Sequence, residues 1–381
     1  MEDKTTGILI ITPFFSPNIG GVETHLDDLV LELDRQGYLI FVQTYSPITS
    51  PTADWSSKEK RGKNIFITRN RWFGKNLFHK LEKFPALDFL YLSPYLFFNS
   101  MIFMALNRQK INVIHAQGLN AGLIGILLKK FFRKKLIISL HAIYELNMGL
   151  ITKKTISWIL KNADVVLGMS QAVLKQFTKL KINPSTLQEY RYWINTEKFQ
   201  PSDNFSAREQ VGLKNQFTVL FVGRLLKKKG VILLAEVAAK LPEIQFVFIG
   251  SGPESLFLHS TAKNFSNIFF LGSIDNSNLP LYYNCADLLC LPSLYQEGLG
   301  RVGMEAVACG IPVIGSNMGG IKEALDNTVS ILVEPKIQNF IFCIKRMKDD
   351  IKKLSEMKAR CRAYALQNFS KKNASYIIKH Y

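Results

Sequence analysis

The sequence predicts an α/β protein built from two doubly wound, parallel-sheet domains. Its 381 residues exceed the size at which a single hydrophobic core usually stops growing. Short β-branched or aromatic runs alternate with longer helix-like segments along the whole chain, as βαβ units require. The alternation restarts at Thr218, after a polar stretch holding Pro201, Ser202 and Asp203.

In the first half, strands are expected at 8–12, 39–44, 64–68, 113–115, 136–139 and 165–169, with helices at 22–36, 121–132 and 170–179 among them. In the second half, strands are expected at 218–222, 245–249, 268–271, 288–291, 312–314 and 330–333. The domains are therefore placed at 1–195 and 215–368, with 196–214 as the linker. Two such domains leave a cleft between the carboxyl ends of their strands, where folds of this kind bind ligands. The five cysteines are scattered, form no CxxC pair and read as reduced buried thiols. The polar, acidic start MEDKTTG runs straight into ILIIT, so no signal peptide is expected. The apolar stretch 84–106 is interrupted by Pro85, Asp88, Pro94 and Asn99 and is not expected to cross a membrane.

The net charge is +18, with 25 basic against 14 acidic residues up to Asn195. A basic surface suits nucleic acid, an anionic membrane or a phosphorylated substrate. The basic residues are dispersed and no nucleic-acid-binding motif accompanies them, so nucleic acid is not expected as a partner.

Three segments carry chemistry. In PNIGGVETH, Gly20 and Gly21 stand at a strand-to-helix turn, where backbone can approach a ligand and helix N-terminal N–H groups favour anions; an ordinary βα turn has the same sequence. In FVGRLLKKKG, a strand ends at Gly223, and Arg224 and Lys229 stand out from the charge run as a planar fork and a point charge for phosphate oxygens. The most specific block is SLYQEGLGRVGME. Glu297 and Glu305 are separated by seven residues, and Gly298, Leu299 and Gly300 lead into a helix at 302–309 whose N-terminus attracts a diphosphate. A carboxylate accepts two hydrogen bonds from vicinal hydroxyls, so Glu305 suits a ribose and Glu297 a sugar. Residues 315–323 repeat the strand, Gly-Gly, helix pattern and face the phosphates or form a plain turn. His115 and His141 are both placed at strand carboxyl ends. No DxD or HxxxH pairing marks a metal site.

The blocks PNIGGVETH, NVIHAQG, LHAIYE, FVGRLLKKKG, IGSGPE and EGLGRVGMEAVACGIPVIGSNMGGIKEAL resemble family 4 of the retaining GT-B glycosyltransferases across nearly the whole chain. The resemblance implies two Rossmann-like domains facing each other across a cleft, with a last helix at 369–381 crossing back onto the N-terminal domain. It implies that Arg224 and Lys229 bind the diphosphate of a UDP- or GDP-sugar, and that Glu305 holds the donor ribose. Glu297, Gly298, Leu299 and Gly300 would cradle the sugar and phosphates, Gly20 and Gly21 would close over the donor, and His141 would act near the sugar. No cofactor or metal is implied. One departure is Asn195, where many members carry Asp.

The expected activity is transfer of a hexose or N-acetylhexosamine to a lipid-linked or glycan acceptor, with retention. A basic, aromatic run at 56–83, including Trp72, Phe73, Leu77, Phe78 and Phe84, and the segment KKFFRKK at 129–135 read as an anionic-membrane surface or as an ordinary solvated face. The expected location is cytoplasmic and peripheral on the inner face of the membrane. Other readings are a GT-B epimerase or phosphorylase, a non-catalytic partner subunit and a charge-driven binding module.

Overall fold

The computed structural model describes residues 6–381 apart from 19, 49, 51–52, 75–76, 78–80, 82–83, 144–148, 178–179 and 181. The chain divides into two compact units. Unit 1 comprises Met1–Tyr192 and Lys372–Tyr381, and unit 2 comprises Trp193–Lys371.

Unit 1 holds an eight-stranded sheet of β1 (Gly7–Ile11), β2 (Leu39–Tyr45), β3 (Lys58–Arg61), β4 (Ile65–Asn70), β5 (Val113–Gln117), β6 (Lys135–Leu140), β7 (Val165–Gly168) and β8 (Leu187–Glu189), in the order β3-β4-β2-β1-β5-β6-β7-β8. Every pair is parallel except β3 with β4. The central strands β1 and β5 are buried throughout, which is why GILII and VIHAQ read as continuous rather than alternating runs. Chain order reverses between β1 and β5, so the sheet's switch point lies outside their carboxyl ends. The helices are α1 (Gly21–Arg35), α2 (Pro85–Leu92), α3 (Pro94–Asn107), α4 (Gly118–Phe132), α5 (Leu150–Lys161) and α6 (Gln171–Lys175).

Unit 2 holds a six-stranded, wholly parallel sheet of β9 (Thr218–Val222), β10 (Gln245–Ile249), β11 (Ile268–Phe270), β12 (Leu288–Leu291), β13 (Val313–Ser316) and β14 (Ser330–Val333). Its order, β11-β10-β9-β12-β13-β14, is the doubly wound 3-2-1-4-5-6 arrangement, and its switch point lies between β9 and β12. Phe246 and Phe248 on β10, Leu225, Leu234 and Phe340 are all buried in one core cluster.

Four sequence expectations are corrected. First, the segment placed as a linker is folded into unit 2. Its helix α7 (Asn204–Gln210) is capped by Asp203, and Arg208 on it pairs with Asp287 at 2.6 Å. Second, the tail is not one helix. A 3-10 turn, Lys371–Ala374, leads into a single helical turn, Ser375–Ile378. Asn373 donates to the Tyr192 carbonyl (3.0 Å), and the Tyr381 hydroxyl meets His115 at 2.7 Å. Third, the stretch 84–106 passes the length and composition test that its prolines and polar residues were expected to fail, since Pro85 and Pro94 begin α2 and α3, where a missing N–H is harmless. Ala86–Asn107 is long and apolar enough by composition to cross a membrane, with 33% of its most apolar window buried. Fourth, the run 56–83 is not simply a surface. Lys58–Arg61 forms the edge strand β3, which the pattern KEKR hides. Glu59 bridges Arg61 and Arg69 at 2.8 Å each, and Arg69 donates to the Ser16 carbonyl. Arg61 also pairs with Asp27 at 2.7 Å, so this network ties the loop after β1 to the sheet edge. Phe78 lies outside the described residues.

Phe248 is fully buried at the centre of unit 2. Phe248→Ala is expected to destabilise that unit by about 3–5 kcal/mol, read as a lower urea midpoint; a loss under about 1 kcal/mol would mean the core collapses onto the space.

Candidate active site

The loops that leave β9 and β12 meet at the switch point of the second sheet. The first carries Gly223, Arg224 and the 3-10 turn Lys227–Lys229, closed by Gly230 in the left-handed region (φ 75). Gly230 is obligatory, because a Cβ there would overlap the Pro292 carbonyl oxygen. Leu294 N–H donates to the Lys228 carbonyl (2.8 Å), joining the two loops. The first loop is also zipped to Gly250–Ser251–Gly252: Gly223 N–H donates to Ile249 and Leu225 N–H to Ser251. IGSGPE is therefore the support of the Arg224 loop.

This joining sets Lys229 against Glu297, with Nζ 2.8 Å from Oε1. The same carboxylate accepts from the Ser293 hydroxyl. Lys229 is half-buried, while Arg224, Lys227 and Lys228 are exposed. Burial works against the Lys229 charge, but the Glu297 carboxylate and Tyr295 outweigh it and hold its pKa above the usual lysine value. Lys228 and Lys229 both lie over the Tyr295 ring, at 5.2 and 5.4 Å.

Gly298, Leu299 and Gly300 lead into α11 (Arg301–Ala308), after α8 (Val231–Ala239), α9 (Ser255–Asn264) and α10 (Leu279–Asn284). Gly300 occupies the N-cap in the left-handed region (φ 70), and no side chain caps the helix among the described residues. Its first-turn N–H groups and macrodipole are thus open to an anion. Glu305, one turn in, is buried. Its Oε1 accepts from Arg301 Nε and its Oε2 from the Tyr283 hydroxyl, both at 2.8 Å. Burial and the Glu305 charge push the Tyr283 phenol well above its usual pKa. Each carboxylate oxygen keeps a second lone pair for a hydroxyl.

Gly319 and Gly320 pack against the backbone of the Glu297 loop. Gly320 N–H donates to the Glu297 carbonyl (2.8 Å), and a Cβ on Gly320 would overlap the Gly298 oxygen. They are the floor beneath the Glu297 loop.

Unit 1 assembles a different site at its own switch point. His141 follows β6. Its Nε2–H donates to the Gln117 side-chain oxygen at the end of β5 (2.7 Å), and its Nδ1 accepts from the Tyr190 hydroxyl (3.2 Å). His25 of α1 stacks on Tyr192 (4.1 Å) and Tyr190 (5.6 Å) and meets His141 edge-on (5.8 Å). Burial lowers the His141 pKa to about 4, so the ring is neutral at neutral pH. Gly20 is extended at the N-cap of α1, and Gly21 next to it faces open space. The Tyr192 hydroxyl pins the Gly21 carbonyl (2.8 Å).

His115 does not lie at a strand end. It sits in the middle of β5, fully buried between Ser139 and Tyr381 (2.7 Å each), and burial, with His141 and His380, lowers its pKa to about 3. It joins the tail to the sheet. The structure thus gathers Arg224, Lys229, Glu297, Gly298, Leu299, Gly300 and Glu305 in unit 2, and Gly20, Gly21 and His141 in unit 1. Sequence reading missed Ser293, Tyr283, Arg301, Tyr295, Gln117 and Tyr190. Of these, only Arg301, four residues before Glu305 on a helix, had a visible signal. All five cysteines are buried and free, and no group of three or more His, Cys, Asp or Glu among the described residues is placed to hold a metal.

Two outcomes follow. Gly320→Ala, allowed by its φ of −80 but not by the Gly298 oxygen, should displace the Glu297 loop, read as faster hydrogen exchange of the loop amides while the far-ultraviolet dichroism stays unchanged. His141 is neutral when folded but protonates near 6.5 when unfolded, so the unfolded chain binds the extra proton and stability falls as pH drops from about 6.5 toward 4. In His141→Gln, urea unfolding between those pH values should give a shallower slope than wild type; identical slopes would exclude the assignment.

Two family profiles match the chain: "Glycosyl transferases group 1" over residues 203–367 and "Glycosyltransferase Family 4" over residues 19–193. The GDP-mannose-dependent monoacylated alpha-(1-6)-phosphatidylinositol monomannoside mannosyltransferase of Corynebacterium glutamicum is 24% identical over 343 residues, 86% of this chain and 84% of that protein. The structure of sucrose-phosphate synthase from Thermosynechococcus elongatus superposes with a TM-score of 0.80 at 22% identity, over 98% of this chain and 97% of the other. That of Anabaena HepE in complex with UDP-glucose gives 0.76 at 20% identity, over 98% of each chain. The fold is that of the GT-B glycosyltransferases. With one profile on each half, the chain belongs to the glycosyltransferases of group 1 and family 4 and is a glycosyltransferase enzyme.

Proposed function

We propose that this enzyme transfers a hexose or N-acetylhexosamine from a UDP- or GDP-sugar to a lipid-linked or glycan acceptor, with retention and without a metal ion, at the anionic cytoplasmic face of a membrane. The observation that carries the donor assignment is the convergence of Arg224, the Lys229–Glu297 pair and the uncapped N-terminus of α11 at one switch point. Cation, helix dipole and carboxylate are what a diphosphate and a polyhydroxylated ring need side by side. The UDP-glucose held by Anabaena HepE and the GDP-mannose and phosphatidylinositol mannoside in the name of the corynebacterial relative support the donor and acceptor classes.

In the proposed reaction, the bond between the anomeric carbon and the diphosphate oxygen breaks, and the acceptor oxygen bonds to the same face of that carbon. The acceptor proton passes to the departing phosphate oxygen, so atoms and charge balance. Arg224 and Lys229 stabilise the charge that develops on the diphosphate, a preorganised electrostatic contribution usually larger than any other. Ligand binding exchanges part of the Lys229–Glu297 attraction for Lys229 to phosphate and Glu297 to sugar hydroxyls. Glu305 takes the ribose on its remaining lone pairs. In unit 1, neutral His141, oriented by Gln117 and Tyr190, is assigned to the sugar. Gly20 and Gly21 are assigned to close backbone approach, since Gly21 meets nothing within its own chain that would refuse a side chain.

The test is a thermal-shift panel of UDP, GDP, ADP and their sugar conjugates without added metal. One nucleotide family should stabilise wild type by about 2.7 kcal/mol at a hundredfold excess over Kd. Arg224→Ala should lose most of that shift with its ligand-free midpoint unchanged, because Arg224 is exposed. No shift with any nucleotide would overturn the donor site. Inversion in the first-formed product, read by NMR, would overturn retention.

A further inference from the structure

We propose that the helical face of unit 1 made by α2, α3, α4 and α5 is the surface that docks on anionic lipid, with the α2–α3 stripe in the acyl boundary and the helix C-termini on lipid phosphates. This deepens the lipid-acceptor reading, on which it rests for its purpose.

One row of α2–α3 faces inward. Leu92, Leu96, Ser100 and Met104, four residues apart, are fully or almost fully buried. The opposite row is apolar too: Leu87, Leu90 (70% exposed), Tyr95, Phe98 (62%), Ile102 (62%) and Leu106 (79%). An apolar stripe this long on a surface marks an interaction site rather than scattered exposure. The stripe is continued sideways. α3 packs on α4 and α4 on α5. On α4, Leu123 and Leu127 are half-buried and Phe131 is exposed; on α5, Ile151 and Trp158 are exposed.

Topology supplies the charge. α3, α4 and α5 each feed a parallel strand, β5, β6 and β7, so all three C-termini reach the same edge of the sheet. Arg108, Lys110, Lys130, Arg133, Lys134 and Lys161 stand there. Asp164 is already held by Lys129 at 2.6 Å. Cations at helix C-termini complement the macrodipole, but six for three helices exceed that need. Lys130 lies 5.0 Å over the Trp158 ring, an amphipathic ring at the boundary between cations and apolar stripe. Asp88, the one acidic residue between 84 and 110, is taken by Asn120 at 2.7 Å.

Charge selects the occupant. A second copy meeting this face across a two-fold axis would set cations against cations. An anionic bilayer offers phosphates to the cations and acyl chains to the stripe. The helix lies on such a surface rather than crossing it, because crossing would strip Leu92, Leu96 and Met104 from the sheet.

The experiment sediments the full chain with phosphatidylcholine vesicles, with and without one-third phosphatidylglycerol, at low and high salt. Wild type should bind only the anionic vesicles and be released by salt. Arg133→Glu with Lys134→Glu should lower the affinity at least about fivefold, and Phe98→Ser with Ile102→Ser should abolish binding. Thermal midpoints and nucleotide shifts of both variants should match wild type, which separates lost docking from lost fold. Wild type left in the supernatant, or variants that bind as wild type does, would overturn the proposal. So would a wild-type dimer that Phe98→Ser dissociates in the absence of vesicle binding, which would make this a copy-to-copy interface. Absence of any nucleotide shift in wild type would sink the donor reading while vesicle binding still stood.

Discussion

At the switch point of the second sheet, four loops approach so closely that backbone touches backbone. Gly230 lies against Pro292, Gly250 against Gly223, and Gly320 against Gly298, and in each pair a Cβ would overlap a carbonyl oxygen. That approach is the constraint on which the site depends. It brings Lys229 within an ion pair of Glu297 and aims the N-terminus of α11 into the same space. Charges held this way need little rearrangement when a charged ligand arrives, which is the physical content of electrostatic preorganisation. The arrangement also explains why so many glycines lie around few charged side chains: they shape loops that then position Arg224, Lys229 and Glu297.

Unit 1 solves a different problem with different chemistry. Its switch point carries aromatic rings and the neutral His141 imidazole instead of cations. His25, Tyr190 and Tyr192 form a stacked wall, and His141 is oriented between Gln117 and Tyr190. Burial keeps His115 and His141 neutral, so neither adds to the positive charge of the unit at neutral pH. A neutral, oriented ring can exchange a hydrogen bond without the desolvation cost of a buried ion.

The rest of unit 1's charge has been sorted by packing. Arg61, Arg69 and Lys129 look like members of basic runs in the sequence, yet carboxylates hold all three. The cations that remain on the helical face lie beside the apolar stripe of α2–α3, because parallel βα units send successive helix ends to one edge of a sheet. A face that is both apolar and cationic follows from connectivity as much as from composition.

How much of this was legible in advance depends on how far apart the cooperating residues lie. All six strands of unit 2 were readable, because buried and half-buried parallel strands announce themselves as short apolar runs bounded by polar turns. The strand KEKR was not, since an edge strand paired through ion pairs has no apolar signal, and α2–α3 was obscured because prolines that begin helices read as prolines that break them. Arg224, Lys229, Glu297 and Glu305 could be singled out because each follows a strand or opens a helix within a few residues of a glycine. The sequence by itself thus determined two wound domains and the glycine-flanked loops at the second switch point, through periodicity and local backbone chemistry. Only the tertiary structure decided that Tyr283 holds Glu305, that Gly320 lies beneath the Glu297 loop, and that His115 joins the tail to the sheet. Those partners are set by sheet order and loop contact, which bring together residues separated by 22 to 266 positions, and no local pattern encodes such distances.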